Sequence, residues 1–167
     1  MTRLDLFIAR MVSQRACIDH AIALSAHMTG PVFELGLGNG RTFDHIRSTL
    51  GGSAGARALY VFERAVASNP ASTPGADQLV LGDVFETLPM MLARLGPVAS
   101  FVHADLGGHN LKKNDTFARA VSPQVEAVMA RDGIMVSSDR MYFDTMTELP
   151  LPDGALEGRA FLYQKTA

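Results

Sequence analysis

At 167 residues the chain has the length of one domain. With 47% hydrophobic and 19% charged residues it is too apolar to be disordered, and a net charge of -2 gives no sign of the basic face that nucleic-acid binders carry. One cysteine, Cys17, excludes an intrachain disulfide and a cysteine-based zinc cluster. It lies in an apolar helical pattern and reads as a small buried hydrophobe. Asp5, Arg10 and Arg15 interrupt the N-terminus, so no signal peptide is expected, and no stretch is apolar for long enough to span a bilayer. A cytoplasmic, soluble protein is expected, with no membrane partner and nucleic acid disfavoured.

The first element is a helix from Thr2 to about Met28. Leu4, Phe7, Ile8, Met11, Ile18, Ile22 and Ser25 recur at helical spacing, Thr2 and Asp5 resemble a capping box, and Gly30-Pro31 closes it. Val32–Leu35 is a short apolar strand ending in glycines. A helix with Phe43, Ile46 and Leu50 on one face follows, stopped by Gly51-Gly52. Ala58–Phe62 is a second strand, Ala67–Asp77 a loop and Leu79–Leu81 a third strand. Asp83 or Thr87 caps the next helix, with Pro89 in its first turn and Gly96-Pro97 as its close. Val98–Ala104 is a fourth strand. Two helical pieces come next, the second running from Ser122-Pro123 to Gly133, then a fifth strand at Ile134–Ser137. The tail, Arg140–Thr166, reads as a terminal strand pair around Phe161-Leu162-Tyr163.

Apolar strands alternating with helices predict an α/β fold of three layers: a doubly wound, Rossmann-like sheet, mostly parallel with an antiparallel C-terminal strand, plus the extra N-terminal helix. The whole chain, 1–167, is expected to be a single domain: helix 1–29, core 30–139 and strands 140–167. No long helix is evident after the fifth strand, which leaves one sheet flank bare. A second copy of the chain covering that flank would make a homo-oligomer.

In such a sheet, ligands bind at the carboxyl ends of the strands where strand order reverses. The first such turn carries Gly36, Gly38 and Gly40, with Leu37 and Asn39 between them. A dinucleotide fingerprint would need a glycine where Arg41 stands, and the Gly-Lys-Ser/Thr of a P-loop is absent. Three acids sit at three successive strand ends. Glu34 is placed to hold a cationic amino group, directly or through water, Glu63 to accept from two ribose hydroxyls, and Asp83, after Gly82, to meet an adenine amino group. Each also has a plain structural role open to it: Glu34 pairing with an Arg, Glu63 solvated, Asp83 capping a helix.

Taken together, residues 31–139 resemble the class I S-adenosylmethionine-dependent methyltransferases. Val32-Phe33-Glu34-Leu35-Gly36-Leu37-Gly38-Asn39-Gly40 is similar to that family's first motif, and Tyr60-Val61-Phe62-Glu63 to its second. Leu81-Gly82-Asp83-Val84 is similar to the third, and Val102-His103-Ala104-Asp105 to the fourth. The resemblance implies S-adenosylmethionine as cofactor and S-adenosylhomocysteine as product. It implies that the three glycines line the methionine part, that Glu63 and the adjoining Arg64 hold the ribose side, and that Asp83 with Val84 holds the adenine.

For chemistry, Asp105 ends the fourth strand beside the expected methyl group, and His109 is a candidate general base. His20, His27, His45 and His103 lack metal-ligand spacing and read as structural. No metal is expected. The alternative is a pair, Asp105 and Asp139, similar to part of the site of catechol-type O-methyltransferases, but Arg140 stands where an Asn ligand would be needed. Arg140 would grip an anionic group or pair with an acid. The expected activity is methyl transfer to a small-molecule acceptor. A non-catalytic S-adenosylmethionine-binding module or a metal-assisted O-methyltransferase are the alternatives.

Overall fold

The computed structural model describes residues 1–51, 57–108 and 110–167, with the backbone alone at Leu111. Its elements run α1 (Arg3–Leu24), β1 (Val32–Leu35), α2 (Arg41–Gly51), β2 (Leu59–Glu63), β3 (Leu79–Leu81), α3 (Val84–Leu95), β4 (Ala99–Ala104), α4 (Leu111–Val128), β5 (Met129–Ser137), β6 (Met146–Glu148) and β7 (Phe161–Lys165). The strands form one sheet in the order β3-β2-β1-β4-β5-β7-β6. β3, β2, β1, β4 and β5 are parallel, whereas β7 runs antiparallel to β5 and β6 antiparallel to β7. Strand order reverses between β1 and β4, so the crevice outside their carboxyl ends is the switch point of the sheet.

Alternation along the central strands sends side chains to two cores. Phe33, Leu35, Val102 and Ala104 face Leu88 and Met91 of α3 and Val121 and Val125 of α4. Val32, Val61, Phe101, Ile134 and Leu162 face Cys17, Ile18 and Ala21 of α1 and Phe43 and Ile46 of α2. Cys17 is fully buried, and burial pushes its thiol up to about 11.

Several sequence expectations change here. Thr2 and Asp5 form the capping box, but α1 stops at Leu24, four residues before Met28. Ser25 ends it by turning its hydroxyl onto the Ala21 carbonyl at 2.7 Å, while Arg57 donates to the Ser25 carbonyl. The expected apolar face of α1 is only half used. Ile18 and Ile22 are buried, whereas Leu4, Phe7 and Ile8 are exposed, the buried positions of α1 beginning at Ser13. The flank that looked bare is met by α1, which packs against β5, β4 and β7.

Of the two possible caps for α3, Asp83 is the one used, accepting the Phe85 N–H at 2.9 Å. That start moves Pro89 from the first turn to the second. The two helical pieces expected after β4 are one continuous helix containing Pro123, and it ends at Val128 rather than Gly133. Residues 129–133 belong to β5 instead. There the register against β4 shifts between Ala99 and Phe101, Asp132 has φ 64°, and a Cβ on Gly133 would lie 2.8 Å from the Ala130 carbonyl oxygen. Gly133 is therefore the glycine of a strand irregularity, which in sequence looks like a helix stop. Gly52, expected as the stop of α2, lies outside the described residues.

Candidate active site

A cavity of about 560 Å³ opens at the carboxyl ends of β1, β2, β3 and β4, within the usual range for small-molecule sites. Gly36, Gly38, Glu63, Arg64, Gly82, Asp83, Val84 and Asp105 line it, all of them expected from sequence. Phe62, Leu106 and Phe117 add apolar walls, and Asn110, Lys113 and Asn114 of the α4 end add polar ones.

The two glycines that face the cavity do different things. Gly36 has φ 90°, and a Cβ there would lie 2.6 Å from the Asp105 carbonyl oxygen. It lets the chain pass close to Asp105 just past the paired ends of β1 and β4. Gly38 has φ 48°, is exposed, and has no atom within 4 Å of where a Cβ would be, so the backbone there borders open space. Gly40 does not reach the cavity. Its missing Cβ would collide with Ser72 of the 70–72 turn at 2.2 Å, so it serves packing.

Glu63 holds the glycine turn. One carboxylate oxygen accepts from the N–H groups of Leu37 (2.9 Å) and Gly38 (3.3 Å), the other from Arg64 (2.7 Å) and Ala65 (3.3 Å). Burial raises its pKa, but these four donors outweigh that and bring it below the ordinary value. Asp83 spends one oxygen on capping α3, while the other has no hydrogen-bond partner among the described residues and is left for a ligand donor. The cavity has the size for S-adenosylmethionine, with an Asp83 carboxylate oxygen that no described residue satisfies and apolar side chains beside it.

Glu34 is not in the cavity. It is fully buried, and its carboxylate accepts from the Thr42 hydroxyl and meets His103 Nδ1 at 2.7 Å. An amino group cannot reach it directly. Leu37 is core, and Asn39 lines only a neighbouring concavity.

Sequence reasoning missed the polar chain that continues from Glu34. His103 is fully buried in β4; burial opposes its charging, but the Glu34 carboxylate draws its pKa above the ordinary value. The Gln14 amide nitrogen lies 3.1 Å from His103 Nε2 and 3.2 Å from Asp105 Oδ2. Asp105 also accepts from Arg10 Nη2 at 2.8 and 2.7 Å and from the Ser138 hydroxyl at 2.9 Å. Burial raises the Asp105 pKa, and Arg10 and His103 more than reverse that. Its carboxylate is thus engaged as an anchor. The available signal was Arg10 and Gln14 four residues apart on α1, two polar positions on one helical face.

His109 lies outside the described residues. Among the described residues no group of three or more His, Cys, Asp or Glu is placed to hold a metal ion. Asp139 instead accepts from Asn114 at 3.2 Å, and Arg140 pairs with Glu148 at 3.0 Å. No described helix is long and apolar enough to cross a membrane.

Comparison with known proteins identifies the family. A family model described as S-adenosyl-L-methionine methyltransferase matches residues 1–165. The chain belongs to that family and is an S-adenosylmethionine-dependent methyltransferase. A crystal structure of an S-adenosyl-L-methionine methyltransferase from Silicibacter pomeroyi is 62% identical with a TM-score of 0.93, and 99% of each chain is covered. A candidate S-adenosylmethionine-dependent methyltransferase from Streptococcus mutans shares the fold at 18% identity and a TM-score of 0.57, over 91% of this chain and 48% of its own. Among proteins of curated function, none matches.

Proposed function

We propose that the cofactor occupies the 560 Å³ cavity and that methyl transfer goes to a small molecule entering beside Asp105. The observation that carries this is the position of Asp105. It lines the cofactor cavity and two smaller concavities of about 220 and 200 Å³ at once, one against Phe7, Met11 and Gln14 of α1, the other against Ser138 and Arg159. These volumes lie below the usual range for drug-sized ligands, which favours a small acceptor.

When bound, S-adenosylmethionine supplies an electrophilic methyl group on a sulfonium. Gly36 and Gly38 leave room for its methionine part, Glu63 and Arg64 face its ribose, and Asp83 with Val84 faces its adenine. Asp105, held by Arg10, Gln14 and Ser138, fixes the wall between cofactor and acceptor, and positioning is the main contribution such a wall makes to a displacement reaction. His109 remains our candidate base. Residues 1–167 act as one domain in the cytoplasm. Leu4, Phe7, Ile8 and Val12, exposed along one face of α1, support a homo-oligomer; a monodisperse monomer at micromolar concentration in light scattering overturns that.

Calorimetric titration with S-adenosylhomocysteine tests the cofactor reading. Micromolar, one-to-one binding is expected. No heat and no thermal shift, from folded protein free of copurified ligand, overturns it.

A further inference from the structure

We propose that the concavity of about 200 Å³ next to the cofactor cavity is an acceptor subsite for a small zwitterion: Arg159 pairs with its carboxylate, and Asp139 receives a hydrogen bond from its amine. This rests on the cofactor reading above for its link to methyl transfer, though not for the binding itself.

Four charged side chains line this space: Arg10, Asp105, Asp139 and Arg159. Arg10 and Asp105 neutralise each other at 2.7 Å. Arg159 and Asp139 are left, one cation and one anion. Neither takes part in any of the six ion pairs among the described residues, so they face the same small space without touching. A ligand with one charge would meet a partner at one end and repulsion at the other. A ligand with both charges satisfies both ends.

Each group is also held ready. Asp139 accepts only from the Asn114 amide, at 3.2 and 3.5 Å, so its carboxylate keeps unused lone pairs. Arg159 is half-buried at the end of a turn in which its own N–H bonds the Leu156 carbonyl at 3.1 Å. Gly158 has φ 72°, and the Leu156 N–H donates to Ser13 Oγ on α1 at 2.9 Å. The guanidinium is thereby carried on a fixed strap and can offer paired N–H donors to a carboxylate.

The test is an NMR titration of the whole protein, with and without saturating S-adenosylhomocysteine, using glycine, 3-aminopropanoate and 4-aminobutanoate as probes and acetate and methylammonium as controls. At least one amino acid is expected to shift residues 138–139 and 158–159 saturably, at a concentration at least fivefold below either control. Arg159→Gln should abolish that response, and Asp139→Asn should reduce the amino acid to the level of acetate, both with S-adenosylhomocysteine affinity unchanged within about twofold. Equal response to an amino acid and to methylammonium, or full binding in Arg159→Gln, overturns the proposal. Failure of S-adenosylhomocysteine to bind counts against the cofactor reading alone, because the probes are also titrated without it.

Discussion

A single nitrogen of Arg10, Nη2, lies 2.8 and 2.7 Å from the two carboxylate oxygens of Asp105, 95 residues further along the chain. This contact ties α1 to the end of β4 at the switch point. Because Arg10 is the foremost of the neighbours that lower the Asp105 pKa, Arg10→Ala should raise it. Carbon-13 NMR titration of the Asp105 carboxylate checks this, and an unchanged value would remove the ion pair from the account. Arg10 is 43% exposed, so the stability lost should be only about 1 kcal/mol.

Gly38 and Gly40 should separate on substitution. Gly38→Ala places a methyl group in open space at φ 48°, costing about 1–2 kcal/mol of strain and, on the proposed site, crowding the cofactor. Gly40→Ala meets Ser72 and should cost about 3 kcal/mol or more. Thermal unfolding and S-adenosylhomocysteine titration, run on both variants, should show affinity lost mainly in the first and stability mainly in the second.

Glu63→Gln keeps the shape of the side chain but replaces one oxygen by a donor facing the Leu37 and Gly38, or Arg64 and Ala65, N–H groups. S-adenosylhomocysteine affinity should fall at least tenfold, about 1.4 kcal/mol. Calorimetry decides it, and wild-type affinity in this variant would leave Glu63 without a part in the site.

The Glu34–His103 pair is wholly buried, and removing one partner strands the other. His103→Ala should destabilise the protein by about 3–5 kcal/mol in denaturant unfolding. A double-mutant cycle with Glu34→Gln should be far from additive. Additive effects would mean the two side chains do not interact.

Asp105, Glu63 and Glu126 all have pKa values below those of the unfolded chain. Their contribution to stability is complete above the unfolded values, about 3.9 for Asp and 4.3 for Glu, and disappears as pH falls through the folded ones. The thermal midpoint should therefore drop steeply below about pH 4, and less steeply in Asp105→Asn. A parallel slope in that variant would contradict the lowered pKa.

Much of this was legible in the sequence because it is local. The glycine turn, the acids at three strand ends and the Asp83 cap follow from residue type and spacing. What escaped was set by contacts between distant segments. Gly133 reads as a helix stop, since nothing near it in sequence reveals the Ala99 carbonyl 2.9 Å from its missing Cβ. Glu34 reads as a ligand group because its two partners, Thr42 and His103, reach it from separate elements. Leu4, Phe7 and Ile8 share the helical spacing of the buried residues, and only the packed structure shows that burial in α1 begins at Ser13.

The bond from the Leu156 N–H to Ser13 Oγ joins residues 143 positions apart, and α1 rests on β5 and β7. During synthesis α1 emerges well before the strands it packs against. Until β7 has left the ribosome, Cys17, Ile18 and Ala21 have an incomplete surface to meet. Such distant pairing slows folding and exposes apolar surface to aggregation. The Leu156–Ser13 bond is thus among the last contacts to form, and it closes only after every strand at the switch point has been synthesised.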